Sequence, residues 1–114
     1  MPRASLSPRG VIALNKAALE LLDEPEAVEL LFDRFTNCIG LRPSLLKHGH
    51  AFRLNSKGRG RGRLIRAKRF CNFYNIRLEN TVVFNRLERS GEGILQLDLM
   101  NVTEFVREKR RVVA

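Results

Sequence analysis

The chain has 114 residues, with 44% hydrophobic side chains, no Trp, one Tyr and seven Phe, which suits a single domain with an aliphatic core and a few Phe anchors. Its formal charge of +9 and pI of about 10.8 make it repel itself and attract polyanions such as DNA, RNA or an anionic surface. No apolar run reaches the ~18 residues of a membrane span, and Met1–Gly10 lacks the apolar centre of a signal peptide. Cys38 and Cys71 stand far apart without a partner motif. The expectation is a cytoplasmic protein without membrane association, its two cysteines reduced in the core.

In chain order, Leu6–Leu14 reads as a strand, with Val11, Ile12 and Leu14 apolar around the break at Pro8-Arg9-Gly10. Asn15 is a good helix N-cap for the helix formers Lys16–Leu22, with Ala18, Leu21 and Leu22 on one face. Pro25 stops that helix by driving Glu24 from helical dihedrals. Ala27–Asp33 is then a strand, Phe35-Thr36-Asn37 a turn and Cys38–Arg42 a return strand, giving β-α-β-β.

The second half repeats this order. Arg61-Gly62-Arg63-Leu64-Ile65 aligns with Arg9-Gly10-Val11-Ile12-Ala13 at an offset of 52, and a short helix around Ala67–Tyr74 follows. Thr81–Leu87 is a strand, Ser90-Gly91-Glu92-Gly93 a hairpin turn, and Ile94–Met100 a return strand. With two more residues inserted, Val82 matches Val28 and Phe84 matches Leu30. One such unit buries too little surface to fold alone, so two are expected to pack about a pseudo-twofold axis. Asn101-Val102-Thr103-Glu104 has capping-box spacing, and with Val102, Phe105 and Val106 it predicts a short C-terminal helix running into a basic tail. The organisation is a single domain over 1–114, with repeats at about 5–43 and 57–100 and a basic helix or tail at 101–114.

The charge is uneven. Residues 1–56 carry 7 Lys and Arg against 6 Asp and Glu, whereas residues 57–114 carry 14 against 6. The excess concentrates in Lys57-Gly58-Arg59-Gly60-Arg61-Gly62-Arg63, followed by Arg66, Lys68 and Arg69: seven cations in thirteen residues with no acid among them. Glycine alternating with a cation removes steric bulk, so the backbone can approach a phosphate or enter a groove. If this stretch is extended, Lys57, Arg59, Arg61 and Arg63 share one side and can displace counterions from neighbouring phosphates. Arg9 is the equivalent residue of the first half, placed by pseudo-symmetry opposite Arg61, and Arg3 and Lys16 could extend that surface.

Other constellations are weaker. His48-Gly-His50 has no Cys, Asp or Glu nearby in sequence and reads as a loop, not a metal site. Asp23, Glu24, Glu26 and Glu29 read as a solvated edge or a grip for a basic segment. Phe70, Phe73 and Tyr74 could stack bases, but their helical spacing places them in the core. No catalytic set has motif spacing, so no enzyme, cofactor or metal is expected.

Leu6-Ser-Pro-Arg-Gly-Val-Ile-Ala-Leu-Asn, then Ala17–Leu22 and a hairpin, resembles the swapped-hairpin fold of the AbrB and MraZ family of DNA-binding regulators, over most of residues 5–100. Gly62-Arg63-Leu64 keeps the family's Gly-Arg-hydrophobic order. Gly10-Val11-Ile12 lacks its arginine, and Asn15 and Ala67 stand where the family often has Pro. The resemblance implies an α+β, mainly β fold, with two pseudo-symmetric β-α-β-β units in a swapped-hairpin, barrel-like body. It also implies DNA contacts from Arg59, Arg61, Arg63 and Arg9. The expected function is thus nucleic-acid binding by a transcriptional regulator through Lys57, Arg59, Arg61, Arg63, Arg66, Lys68, Arg69 and Arg9. DNA is preferred to RNA, and homo-oligomerisation stays open. The alternatives are an RNA-binding accessory protein and an antitoxin-like protein-interaction module.

Overall fold

The computed structural model describes residues 1–56, 60 and 62–105. The chain is mainly β. In order it forms β1 (Ala4–Leu6), β2 (Val11–Leu14), α1 (Lys16–Leu21), β3 (Ala27–Asp33), β4 (Cys38–Ser44), β5 (Phe52–Arg53) and β6 (Asn55–Ser56). There follow β7 (Arg63–Arg66), α2 (Lys68–Phe73), β8 (Thr81–Phe84), β9 (Leu87–Arg89), β10 (Leu95–Asp98) and β11 (Val102–Phe105). These strands make two antiparallel sheets, ordered β11-β8-β1-β2-β7-β6 and β5-β3-β4-β10-β9. The barrel-like body expected from sequence is thus two sheets and not a closed barrel, because strand pairing changes partners where the chain passes from β5 to β6 and from β8 to β9.

The expected strand Leu6–Leu14 is instead a hairpin. Ser7 N–H donates to the Val11 carbonyl, Gly10 N–H to the Ser7 carbonyl, and Ser7 Oγ accepts from Val11 N–H. Gly10, at φ +79°, takes the left-handed position such a three-residue loop requires. Ser90-Gly91-Glu92-Gly93 closes β9 onto β10 with the same bonds, and Gly93 also sits at φ +79°.

Both helices fall where the sequence predicts, α1 one residue shorter at its end and α2 one residue shorter at each end, with Leu22, Ala67 and Tyr74 as caps. Asn15 caps α1 by accepting the Ala18 N–H at 2.9 Å, while Ala67 gives α2 no side-chain cap. Each helix then closes on a left-handed residue, Asp23 at φ 59° and Asn75 at φ 55°. The residue beyond each donates back, Glu24 N–H to the Leu19 carbonyl and Ile76 N–H to the Cys71 carbonyl.

β3 has the expected boundaries and pairs along its whole length with β4, which runs two residues past Arg42. In the second half, β8 pairs with β11 and β9 with β10. The first pair belongs to one sheet and the second to the other, and Asn85 bonds Asn101 where the chain passes between them. The predicted C-terminal helix is therefore corrected over its first turn: Val102–Phe105 is a strand. Asn101 bonds the Asn85 side chain and Glu104 accepts from Asn80, so the two capping-box side chains are used across strands. Pairing with Thr81–Phe84 satisfies this backbone and suits the β-branched Val102 and Thr103. The remainder of the predicted helix, 106–114, lies outside the described residues.

The core lies where the two sheets and both helices meet. Leu6, Ile12, Leu14, Leu22, Val28, Ile39, Leu41, Ile65, Leu95 and Leu97 are fully buried, so both halves of the chain fill one cluster. It is aliphatic with Phe70 and Phe84 as aromatic anchors. Among the described residues no helix is long and apolar enough to cross a membrane.

Candidate nucleic-acid interface

The site is built where the β1–β2 turn meets the start of α2. β2 pairs antiparallel with β7, placing Val11 opposite Arg66. The Ala67 N–H, next in the chain, donates to the Gly10 carbonyl at 2.7 Å. Gly10 lies so close to α2 that a Cβ there would stand 2.6 Å from the Lys68 Cα. Arg9, Arg66 and Lys68 are therefore brought together by backbone contacts on either side of Gly10, although 57 positions separate Arg9 from Arg66 in sequence. Arg69 follows, its Cζ 4.5 Å over the Phe52 ring.

The charges of this group are not answered internally. Lys16, Arg42, Arg86 and Arg89 each hold a carboxylate, of Glu20, Glu29, Glu88 and Asp23 respectively. Arg9, Arg66, Lys68 and Arg69 form no ion pair among the described residues. A cleft beside them, bounded by Ser7, Gly10, Lys68, Asn72 and Arg77, has no acidic lining residue. An anion entering it meets cations and neutral side chains and no carboxylate.

The other predicted cations part from this group. Lys57, Arg59 and Arg61 lie outside the described residues. Arg63 is on the Ile65 side of β7, opposite to Arg66 by strand alternation, and lines a cleft with Glu24, Glu26 and Arg53. Residues 57–69 thus do not present all their described cations on one face: the chain turns from β7 into α2 within that span. Arg9 abuts Lys68 through Gly10. Arg3 and Lys16 are at the open end of the β1–β2 hairpin, away from its turn, where Asn15 Oδ1 accepts the Arg3 N–H and Lys16 pairs with Glu20.

Arg77 and Asn72 were not singled out by sequence reasoning. Arg77 is an isolated cation in sequence, and it reaches the cleft only because Asn75 turns the chain back at the end of α2 and accepts from Arg77 Nε at 2.8 Å. Phe73 departs from its expected core position and is 70% exposed, whereas Phe70 is buried. The acidic cluster is largely spent inside the molecule: Asp23 pairs with Arg89, Glu29 with Arg42, and Glu26 accepts the Leu46 N–H. The Arg42 hydrogen bond and charge hold the Glu29 carboxyl below its ordinary range. His48 and His50 have ring centroids 6.3 Å apart, and no described group of three metal-ligating side chains forms around them. Both thiols are free; Cys71 is buried beneath the cleft, which pushes its pKa up, and Cys38 is half-buried.

No protein-family model matches the chain, and searches of curated proteins and of solved structures find no match either.

Proposed function

We propose that the protein binds duplex DNA, as a regulator would, through the surface formed by Arg9, Arg66, Lys68 and Arg69. The observation that carries this reading is the approach of Arg9, Arg66 and Lys68 around the Gly10–α2 contact, with Arg69 next in the chain and no ion pair to any of the four among the described residues. Uncompensated guanidinium and ammonium groups held on a rigid framework favour phosphate, which replaces mutual repulsion with charge-assisted hydrogen bonds. Phosphate contacts would supply most of the affinity, leaving sequence preference to the few arginines that reach base edges. Lys57, Arg59 and Arg61, outside the described residues, are proposed as further contacts from the sequence alone.

The architecture proposed for this surface is two interlocked, pseudo-symmetric units. Three observations support it. The helices and their terminal hydrogen bonds correspond at an offset of 52, Leu19 with Cys71 and Glu24 with Ile76. Ile12 and Ile65 face each other across the β2–β7 pair. And strands pair across the halves: β8 of the second with β1 of the first, and β10 of the second with β4 of the first. Pairing between the halves is what a swapped hairpin requires.

The test is a salt titration of binding to a duplex, with double-stranded RNA of equal length as competitor. If about five phosphates are engaged, log K falls against log salt with a slope near −4.5, and removing three cations in R9A/R66A/K68A lowers the slope by about 2.7. A flat dependence, or a triple variant with the parent's slope, sinks the proposal. Preference for the RNA competitor redirects it from DNA.

A further inference from the structure

Beside the proposed duplex surface, rings and guanidinium groups alternate along a different flank of α2. Lys68 and Asn72 line the cleft next to Gly10. Arg69 and Phe73, four residues apart, occupy a neighbouring flank of the same helix. The sequence of groups there is Phe52, with Arg69 Cζ 4.5 Å above its ring; then Phe73, whose centroid is 4.9 Å from that of Tyr74; then Arg34, with its Cζ 5.7 Å from the Tyr74 ring centre. Tyr74 is held from behind by Phe70 at 5.0 Å and Phe32 at 5.1 Å.

A single exposed apolar side chain is ordinary. Phe73 differs in two ways. It is the outer member of a cluster of tilted rings whose inner members are the buried Phe70 and the half-buried Phe32 and Tyr74 packed on the core, so its ring has a firm backing. It is also bracketed by Arg69 and Arg34, neither of which has an ion pair among the described residues. The cleft between Arg34 and Arg77 contains Tyr74 and no acidic side chain.

An exposed aromatic face between two cations matches a strand whose bases are free to stack and whose phosphates are spaced along it. A duplex cannot use it, since its base faces are already occupied by their neighbours. We infer that this flank binds unpaired nucleic acid: Phe73 stacks against one base, and Arg69 and Arg34 take phosphates on either side. This rests on the nucleic-acid reading above and adds a second ligand form to it. Arg69 sits between the two surfaces, so a protein holding duplex at Arg9, Arg66 and Lys68 could hold a displaced or looped strand on the adjoining flank.

The experiment uses the full chain and fluorescence anisotropy with a labelled single-stranded oligo(dT) and a duplex of equal length. Phe73 is exposed, so Phe73→Ala should fold, which a thermal melt by circular dichroism checks. Phe73→Ala is expected to weaken oligo(dT) binding about ten-fold or more and duplex binding by less than about two-fold, with Phe73→Tyr retaining the parent affinity. Tyr74 is the sole tyrosine in a chain without tryptophan, so stacking beside it should also quench the intrinsic emission on oligo(dT) addition. Unchanged oligo(dT) affinity in Phe73→Ala, or equal losses on both ligands, overturns this inference and leaves the duplex reading standing. Binding of neither ligand by the parent protein overturns both.

Discussion

A Cβ at position 10 would press to 2.6 Å from the Lys68 Cα while the backbone held φ at +79°, so the Arg9 turn can rest against α2 only as glycine. Left-handed strain alone costs about 1–3 kcal/mol for a non-glycine residue, and the contact is with backbone that cannot swing aside. Gly10→Ala is expected to lower unfolding free energy by about 2 kcal/mol or more in urea denaturation, and to weaken DNA binding by separating Arg9 from Lys68. Gly91→Ala, in open space, should stay within about 0.5 kcal/mol of the parent. Equal effects at the two positions would show that Gly10 is not a packing requirement.

The two thiols divide by burial. Cys71 is 5% exposed, and burial raises its pKa from the ordinary 9.0, so its reactive thiolate is suppressed in the folded protein. A thiol reagent at mildly alkaline pH should modify Cys38 first and Cys71 only as the structure opens. The sign of the linkage follows. The folded state holds the Cys71 proton more tightly than the unfolded state, so its contribution to stability is complete below pH 9 and is lost as pH rises above it. Cys71→Ala should remove that alkaline slope. First modification at Cys71, or an unchanged slope in the variant, would contradict this assignment.

At the scale of elements, what could be read from sequence was local. β3 has its predicted boundaries because Ala27–Asp33 is bounded by Pro25 and by a turn, and its apolar residues need no distant partner to identify them. The Ser90–Gly93 turn was equally plain. Its counterpart at Ser7–Gly10 was read only as a break in one strand, although both have serine at the first position and glycine at the left-handed fourth; proline and arginine between them disguised the match. β11 was misread because capping-box spacing is also cross-strand spacing, and a waiting partner edge, β8, decides between them. Two predictions belong here. Asn15 Oδ1 accepts from both Ala18 and Arg3 N–H groups, and Nδ2 donates to the Met1 carbonyl, so Asn15→Ala should cost about 1–2 kcal/mol in chemical denaturation. Glu29 and Arg42 face each other across β3 and β4 at 2.7 Å. Because the folded carboxyl is more acidic than its usual 4.5, the stability it contributes is present above pH 4.5 and lost as pH falls below it. Glu29→Gln should lose about 0.5 kcal/mol at neutral pH and flatten that acid limb, and an acid limb as steep as the parent's would assign the effect to another carboxyl.

Over the whole molecule, the candidate site was half legible. Composition singled out residues 57–69 as a concentration of positive charge, and the fold sets Arg66 and Lys68 beside Gly10, with Arg69 next in the chain and over Phe52. That Arg63 turns towards Glu24 and Glu26 while Arg77 joins the cleft depends on strand parity and on the left-handed turn at Asn75, neither of which is visible in a count of charges. The pairing of strands distant in the chain was still less accessible, since Leu6 finds Val82 and Leu41 finds Leu95 only once the chain has folded. That pairing has a thermodynamic consequence. Each sheet contains strands from both halves, and Leu6, Ile12 and Leu41 bury themselves in one cluster with Ile65, Val82 and Leu95. A chain ending at residue 50 would expose the β2 edge that β7 covers and the β4 edge that β10 covers, with most of its apolar side chains in water. The fragment 1–50 is therefore expected to be unfolded by circular dichroism, and the intact chain to unfold in one transition in which far-ultraviolet dichroism and Tyr74 emission coincide. Mixing 1–50 with 51–114 should restore sheet signal, because the antiparallel ladders, apolar packing and Asp23–Arg89 ion pair between them form without a covalent link. Independent folding of either fragment, or two separated transitions in the whole protein, would mean the halves are neighbouring domains and not one interlocked body.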